Sequence, residues 1–314
     1  MATTRDGGTV KTALLPALQK LNWELTKMLE NGETNFEAMK SDHLEEFVNV
    51  DCEVGLRALA QMFSFYVNCM KEAGVKTRAE LEELWKDCYH HEEVRECVEE
   101  LLTLEESIQE FFDEIDREIE QVEDRLAVDN VTNLGKLLPA DLSLKECKSG
   151  ELVQLKNVWK QSKFTLFVPL KFYFWGLCNA HLEDIVAKGK DFEQLGCQVV
   201  VMDTGTRGSG LEWLQKHNYN FPLFLDQDRV FYRQLGMRRF LKNSFCVKTF
   251  QLYADQIIAG TFQSDKFTAG SDFAVMGGDF IVDSTGKLLY AHLCKSQFDR
   301  PGVETLIEFL QQQD

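Results

Sequence analysis

The sequence predicts an α/β sandwich preceded by an all-α helical bundle, on three observations. Residues 1–135 carry 13 Lys/Arg against 31 Asp/Glu, a net charge of −18, while residues 136–314 carry 21 against 20, a net charge of +1. The first part keeps apolar residues three and four apart, the spacing of helices. The second alternates short apolar runs with amphipathic stretches, the pattern of strands and the helices that cover them. With 314 residues, 44% apolar and 27% charged, the chain is long enough to bury two cores. The expected domains are 1–130 and 134–314.

In the acidic part, "TALLPALQKLNWELTKMLENG" is helical and is expected to stop at Asn31-Gly32, a pair that terminates helices readily. "NFEAMKSDHLEEFVNVD" and "VGLRALAQMFSFYVNCMKEAG" continue the theme, the latter to Gly74. "TRAELEELWKDCYHH" opens on Thr77 as N-cap with Glu80 three residues on, a capping box. From Val94, apolar residues at Val98, Leu101, Ile108, Phe112, Ile115, Ile119, Val122 and Leu126 step by three and four, with Glu105 filling one slot. This heptad seam predicts one long helix, about 92–126. Three roles suit it: a helix packed in its own bundle, a coiled-coil homodimer, or an acidic arm for a basic protein partner. His90 and His91 are adjacent, point in different directions on a helix, and read as surface residues rather than a metal clamp. The acidic surface repels phosphate backbones and argues against nucleic acid as a partner.

In the second part, "LSLKEC" and "ELVQL" are short strands about Gly150, and "FTLFVPL" is an apolar run of strand length covered on both faces. "CNAHLEDIVAKGKDFEQLG" is read as one helix ending at Gly196, followed by a buried strand, "CQVVVMD", and a helix, "GLEWLQKHN". "VFYRQLG" and "VKTFQLYADQI" have helical spacing. "GGDFIVDSTGKLLYAHLC" is a hairpin about Asp283-Ser284-Thr285-Gly286, and "VETLIEFLQQQ" is the closing helix. Strand, helix, strand, helix, hairpin and helix is the thioredoxin-like order.

The run from Leu137 to Ile185, with "DQDRVFYRQLGM", "GGDFIVDSTGKLLYAH" and "FDRPGVETLIEFL", resembles the alkyl hydroperoxide reductase/thiol-specific antioxidant superfamily. Within it the likeness is to the peroxiredoxin-like 2 branch, which includes the selenoproteins U and L; it spans about 134–314 and leaves the helical part unassigned. The resemblance implies a thioredoxin-like fold and reduction of a peroxide or disulfide by a nucleophilic cysteine, with no bound cofactor and with glutathione or thioredoxin as external reductant. Some relatives reduce lipid endoperoxides, so an apolar substrate is also implied. The chain departs from the branch in its motif. Where C-x-x-C is usual it has Trp175-Gly-Leu-Cys178, with Lys171 at the usual Arg position and Met276 where Gln normally precedes the paired glycines.

Cys178 is therefore the candidate nucleophile, at the expected start of a helix where unpaired N–H groups and the helix dipole favour a thiolate. Lys171 adds positive charge if it turns toward the sulfur, and Trp175 offers an indole N–H beside it. His181, one turn on, is a candidate base, and Arg229 a candidate support, each weighed against a merely structural place. Arg238, Arg239 and Lys242 form a basic group, read as a solvated face or as a receiver of acidic side chains. Cys147, Cys197, Cys246 and Cys294 are all candidates to resolve an oxidised Cys178. The rival reading is a redox-inactive thioredoxin-fold module for binding or assembly. Nine cysteines without C-x-x-C, and an N-terminus without an apolar signal core, suggest a reducing cytoplasmic setting and no disulfide or zinc framework. No stretch reads as a membrane span.

Overall fold

The computed structural model describes residues 7–49, 51–127, 131–171, 173, 176–241, 244–261, 272–296 and 298–313. The helical spacing of the acidic part becomes α1 (Gly7–Met39), α2 (Leu44–Phe47), α3 (Leu56–Leu59), α4 (Met62–Ala73), α5 (Arg78–Cys88) and α6 (Glu92–Arg125). Thr77 caps α5 as expected, accepting from the Glu80 N–H, while the Glu80 carboxylate accepts from the Lys76 N–H. The stop expected at Asn31-Gly32 does not occur, and α1 runs on to Met39. Gly32 serves close approach instead: a Cβ there would lie 2.7 Å from Leu59 Cδ2 and 3.0 Å from Phe111 Cε1.

Two compact units result, and they do not follow the chain contiguously. The helical unit comprises Met1–Val48, Cys52–Glu118 and Leu241–Gln263; the other comprises Asn49–Asp51, Ile119–Phe240 and Ser264–Asp314. The division thus differs from 1–130 and 134–314: a helix at Val247–Ile258, assigned by sequence to the α/β part, joins the bundle. Phe112 explains why, since its ring meets Phe245 at 5.7 Å and Phe250 at 5.9 Å. Val94, Val98, Leu101, Ile108, Phe112, Ile115 and Ile119 are buried within the chain. The seam from Val94 to Ile119 is therefore packed within the chain, while Val122 is half-buried and Leu126 exposed. Glu105, the acid in the seam, accepts from Arg78 at 2.8 Å, from the Tyr66 hydroxyl at 2.7 Å and from Gln251 at 3.0 Å. No helix among the described residues is long and apolar enough to cross a membrane.

The remaining elements follow in chain order as β1 (Ser143–Glu146), β2 (Leu152–Gln154), α7 (Lys156–Trp159), β3 (Phe164–Pro169), α8 (Gly176–Ala187), α9 (Gly189–Gln194), β4 (Cys197–Asp203), α10 (Arg207–His217), β5 (Leu223–Leu225), α11 (Val230–Gln234), α12 (Val247–Ile258), β6 (Gly278–Asp283), β7 (Leu288–Leu293) and α13 (Val303–Gln311). The strands form one mixed sheet in the order β2-β1-β5-β4-β3-β6-β7. β3 is central and wholly buried; it pairs in parallel with β4 and antiparallel with β6. Two elements differ from the sequence reading. The single helix expected to end at Gly196 breaks at Lys188 (φ −102°, ψ 13°), just before a glycine of poor helix propensity. β5 has no counterpart in the sequence reading: three residues show no period, and only pairing with β1 and β4 makes them a strand.

The expected basic group is partly interior rather than a solvated face. Arg239 is buried and pairs with Glu123 at 2.9 Å and Asp272 at 3.2 Å, while Arg238 stays exposed beside Asp124; Lys242 lies outside the described residues. Arg229, in the left-handed region at φ 54°, also reaches Glu123, at 2.9 Å. Burial opposes the Glu123 charge, but the two guanidiniums outweigh it and hold the carboxyl below its ordinary value near 4.5. A depressed carboxyl stabilises the fold above its unfolded pKa and loses that contribution as pH falls through the folded one. Glu123→Gln removes the carboxylate that the two guanidiniums share and leaves them with Asp272 beside them. It is expected to destabilise the fold by about 3–5 kcal/mol at neutral pH, with the difference from wild type closing under acid, as measured by chemical denaturation from pH 7 to pH ~3.

Candidate functional site

The sheet brings three sequence-distant segments to one end. β3 and β4 run in parallel, so the carboxyl end of β3 is at the Pro169 side. β6 runs the other way and starts there, and β7, with Leu293 opposite Gly278, ends there. The α8 N-terminus follows β3, and the residues after β7 lead into α13. Ends of central strands facing a helix start are a usual place for chemistry in open α/β sheets.

Cys178 is the third residue of α8 and is 4% exposed. Its sulfur lies 3.8 Å from Nη2 of Arg300, a residue absent from the sequence-level candidates. That guanidinium donates to three oxygens besides: Pro169 O at 2.8 Å, Gly278 O at 2.6 Å and Asp279 Oδ2 at 2.9 Å. The other oxygen of Asp279 faces His181 Nε2 at 2.8 Å. Asp279 is fully buried; burial alone would raise its pKa, but Arg300 first and His181 next hold it below the usual carboxylate range. Burial likewise works against the Arg300 charge, and the Asp279 carboxylate more than offsets it, leaving the guanidinium firmly protonated. The turn before Arg300 is clamped by Asp299, which meets His292 Nε2 at 3.0 Å and accepts from the Lys295 N–H at 2.8 Å. His292 thus has a structural place at the end of β7.

The paired glycines make room for this arrangement. A Cβ at Gly277 would sit 2.1 Å from Arg300 Nη2 and 2.8 Å from Pro169 O. Tyr232 secures the same end, its hydroxyl donating to Leu170 O at 2.9 Å and Met202 O at 3.2 Å.

The expected residues fare differently. His181 is drawn to Asp279, and as Asp279 is ionised, Nε2–H donates, so this histidine orients the carboxylate rather than standing as a base on the helix surface. Lys171 is buried and turned to the backbone, donating to Phe273 O at 2.6 Å and Val275 O at 3.3 Å. Burial drives its pKa down to about 8, with Asp272 and then Cys178 acting in the opposite direction, so its charge is within electrostatic reach of the sulfur. Arg229 is engaged with Glu123 and not with Cys178. Trp175 lies outside the described residues. Arg300 escapes a sequence reading because 122 residues separate it from Cys178. The one available signal was the Arg-Pro-Gly run between β7 and the start of α13.

A family model described as AhpC/TSA antioxidant enzyme matches residues 184–296, a span between Cys178 and Arg300. Among curated proteins, prostamide/prostaglandin F synthase of Xenopus tropicalis is 26% identical over 176 residues, covering 53% of this chain and 83% of that protein. The Xenopus laevis protein of the same name is 25% identical over 174 residues, with the same coverage. Among solved structures, peroxidoxin BcpB from Mycobacterium tuberculosis superposes with a TM-score of 0.42 at 13% identity, over 58% of this chain and 97% of that one. A cysteine-to-serine mutant of peroxiredoxin 6 of Arenicola marina gives 0.43 at 13%, over 57% and 72%. Residues 184–296 are thus similar to that antioxidant family, the C-terminal part has a thioredoxin-like fold, and the N-terminal region is helical.

Gly277→Ala is expected to displace the guanidinium from Pro169 and Cys178 and to cost about 1–3 kcal/mol, as overpacking usually does. Gly208→Ala, where a Cβ meets open space, is the control; relief of glycine's helix penalty should stabilise it by about 0.5–1 kcal/mol. Thermal denaturation of the two variants in parallel measures the contrast.

Proposed function

We propose that this protein is a thiol peroxidase in which Cys178 attacks the O–O bond of a peroxide and Arg300 stabilises the leaving oxygen. The observation that carries the reading is the Arg300 guanidinium 3.8 Å from a sulfur at a helix start. The Cys178 thiolate forms an S–O bond, the O–O bond breaks, and the alkoxide or hydroxide released takes up a proton, leaving sulfenic acid on Cys178. Negative charge develops on the departing oxygen, and a preorganised guanidinium beside the sulfur is a suitable donor for it. Asp279 fixes that guanidinium through Oδ2, and His181 fixes Asp279 through Oδ1. Lys171 adds a second positive charge from the buried side until it deprotonates at about 8.

Burial favours one of the two substrate classes. A thiol 4% exposed admits a small or slender peroxide more readily than the sulfur of a folded disulfide partner. The names of the Xenopus relatives bring a lipid-derived substrate to this chain as part of the proposal. Turnover requires an external thiol reductant such as glutathione or thioredoxin, which agrees with a reducing, cytoplasmic setting.

Cys178→Ser is expected to abolish thiol-dependent consumption of hydrogen peroxide or an alkyl hydroperoxide. Arg300→Lys keeps the charge but loses the fork, and is expected to lower kcat/KM about 10²-fold, as removal of an oxyanion donor does, with circular dichroism unchanged. Equal consumption by wild type and Cys178→Ser would instead favour the redox-inactive binding module.

A further inference from the structure

Beside the same guanidinium lies a second thiol. Cys294 directly follows β7, and its N–H donates to Gly277 O at 3.1 Å. Gly277 is the residue against which Arg300 Nη2 packs, and that nitrogen faces Cys178 Sγ at 3.8 Å. Both sulfurs belong to buried residues, Cys178 at 4% and Cys294 at 5% exposure. Both support the Arg300 charge, and each lies within electrostatic reach of the other. The remaining thiols of this unit have other surroundings. Cys197 pairs with Phe164 at the far end of β3, five residues from Pro169, or about 16 Å at the rise of a strand. Cys147 turns its sulfur to Arg207 O at 3.6 Å.

We infer that Cys294 is the resolving thiol of this protein, closing an intramolecular disulfide with Cys178 after the peroxide step. The inference rests on the peroxidase reading given above. The sulfur of Cys294 attacks the sulfenic sulfur of Cys178, the S–S bond forms as the S–O bond breaks, and the hydroxyl leaves with the Cys294 proton as water. The peroxide is the oxidant, each thiol supplies one of the two electrons lost overall, and an external dithiol reopens the bridge. Burial, helped by Asp279 and Cys178 and opposed by Arg300, pushes the Cys294 thiol up to about 12. It therefore stays protonated while peroxide is present and does not compete for it. Its proton must therefore pass to the departing hydroxyl as the sulfur attacks.

The test uses the full chain as wild type, Cys294→Ser, Cys294→Ala and Cys197→Ser, each treated with one equivalent of hydrogen peroxide with and without dimedone. After denaturing alkylation, peptide mass mapping of wild type and Cys197→Ser is expected to yield a Cys178–Cys294 cross-linked peptide. Both Cys294 variants should form no such bridge and should carry sulfenic acid on Cys178, trapped by dimedone at about one per chain. Sulfenic acid on wild-type Cys178 with no bridge, or a bridge to another cysteine, overturns the pairing while leaving the peroxidase reading intact. A wild-type Cys178 that neither oxidises nor takes dimedone overturns both. Since wild type alone reports the bridge, misfolding of a Cys294 variant does not remove the test.

Discussion

A carboxylate wholly removed from water must be met by positive charge or lose its proton, and Asp279 is such a carboxylate at the start of β6. Its two oxygens organise the site from opposite sides, one engaging Arg300 from the turn before α13 and the other His181 from α8. Three segments far apart in sequence are thereby tied at one sheet end. The cation that satisfies the aspartate also faces the Cys178 sulfur. Loosening Arg300 would leave Asp279 buried with His181 as its remaining partner.

The two positive charges near Cys178 divide the work by their geometry. Lys171 has its ammonium turned to the Phe273 and Val275 carbonyls and holds that segment against the site. A compact ammonium suits a cluster of carbonyl oxygens, whereas a planar fork is needed to engage Asp279, two backbone carbonyls and a sulfur at once. Arg300 meets that requirement from the segment before α13.

The helical region repeats the same physics in apolar surroundings. Glu105 interrupts the heptad seam and draws in Arg78, whose guanidinium also lies 4.6 Å from the Trp85 ring centre. Near the end of α6, Glu123 draws in Arg229 and Arg239. An acidic residue at an inward position of an apolar stripe is a legible sign of an ion pair, although its partner is not. Arg78 precedes Glu105 by 27 residues, and Arg229 follows Glu123 by 106.

Composition and period alone determined that an acidic helical region precedes an α/β domain, that the long helix spans the heptad seam, that Thr77 caps α5, and that Cys178 stands at a helix start, because those features depend on neighbours within a turn or two. Tertiary structure decided what depends on pairing across the chain. The three residues of β5 became a strand only between β1 and β4, Gly32 served helix approach rather than termination, and α12 went to the bundle to cover Phe112. The cation at the sulfur came from Arg300 rather than Lys171 for the same reason. Hydrophobic periodicity is local, whereas the pairing of a buried charge is settled by whichever opposite charge the strand topology carries to it.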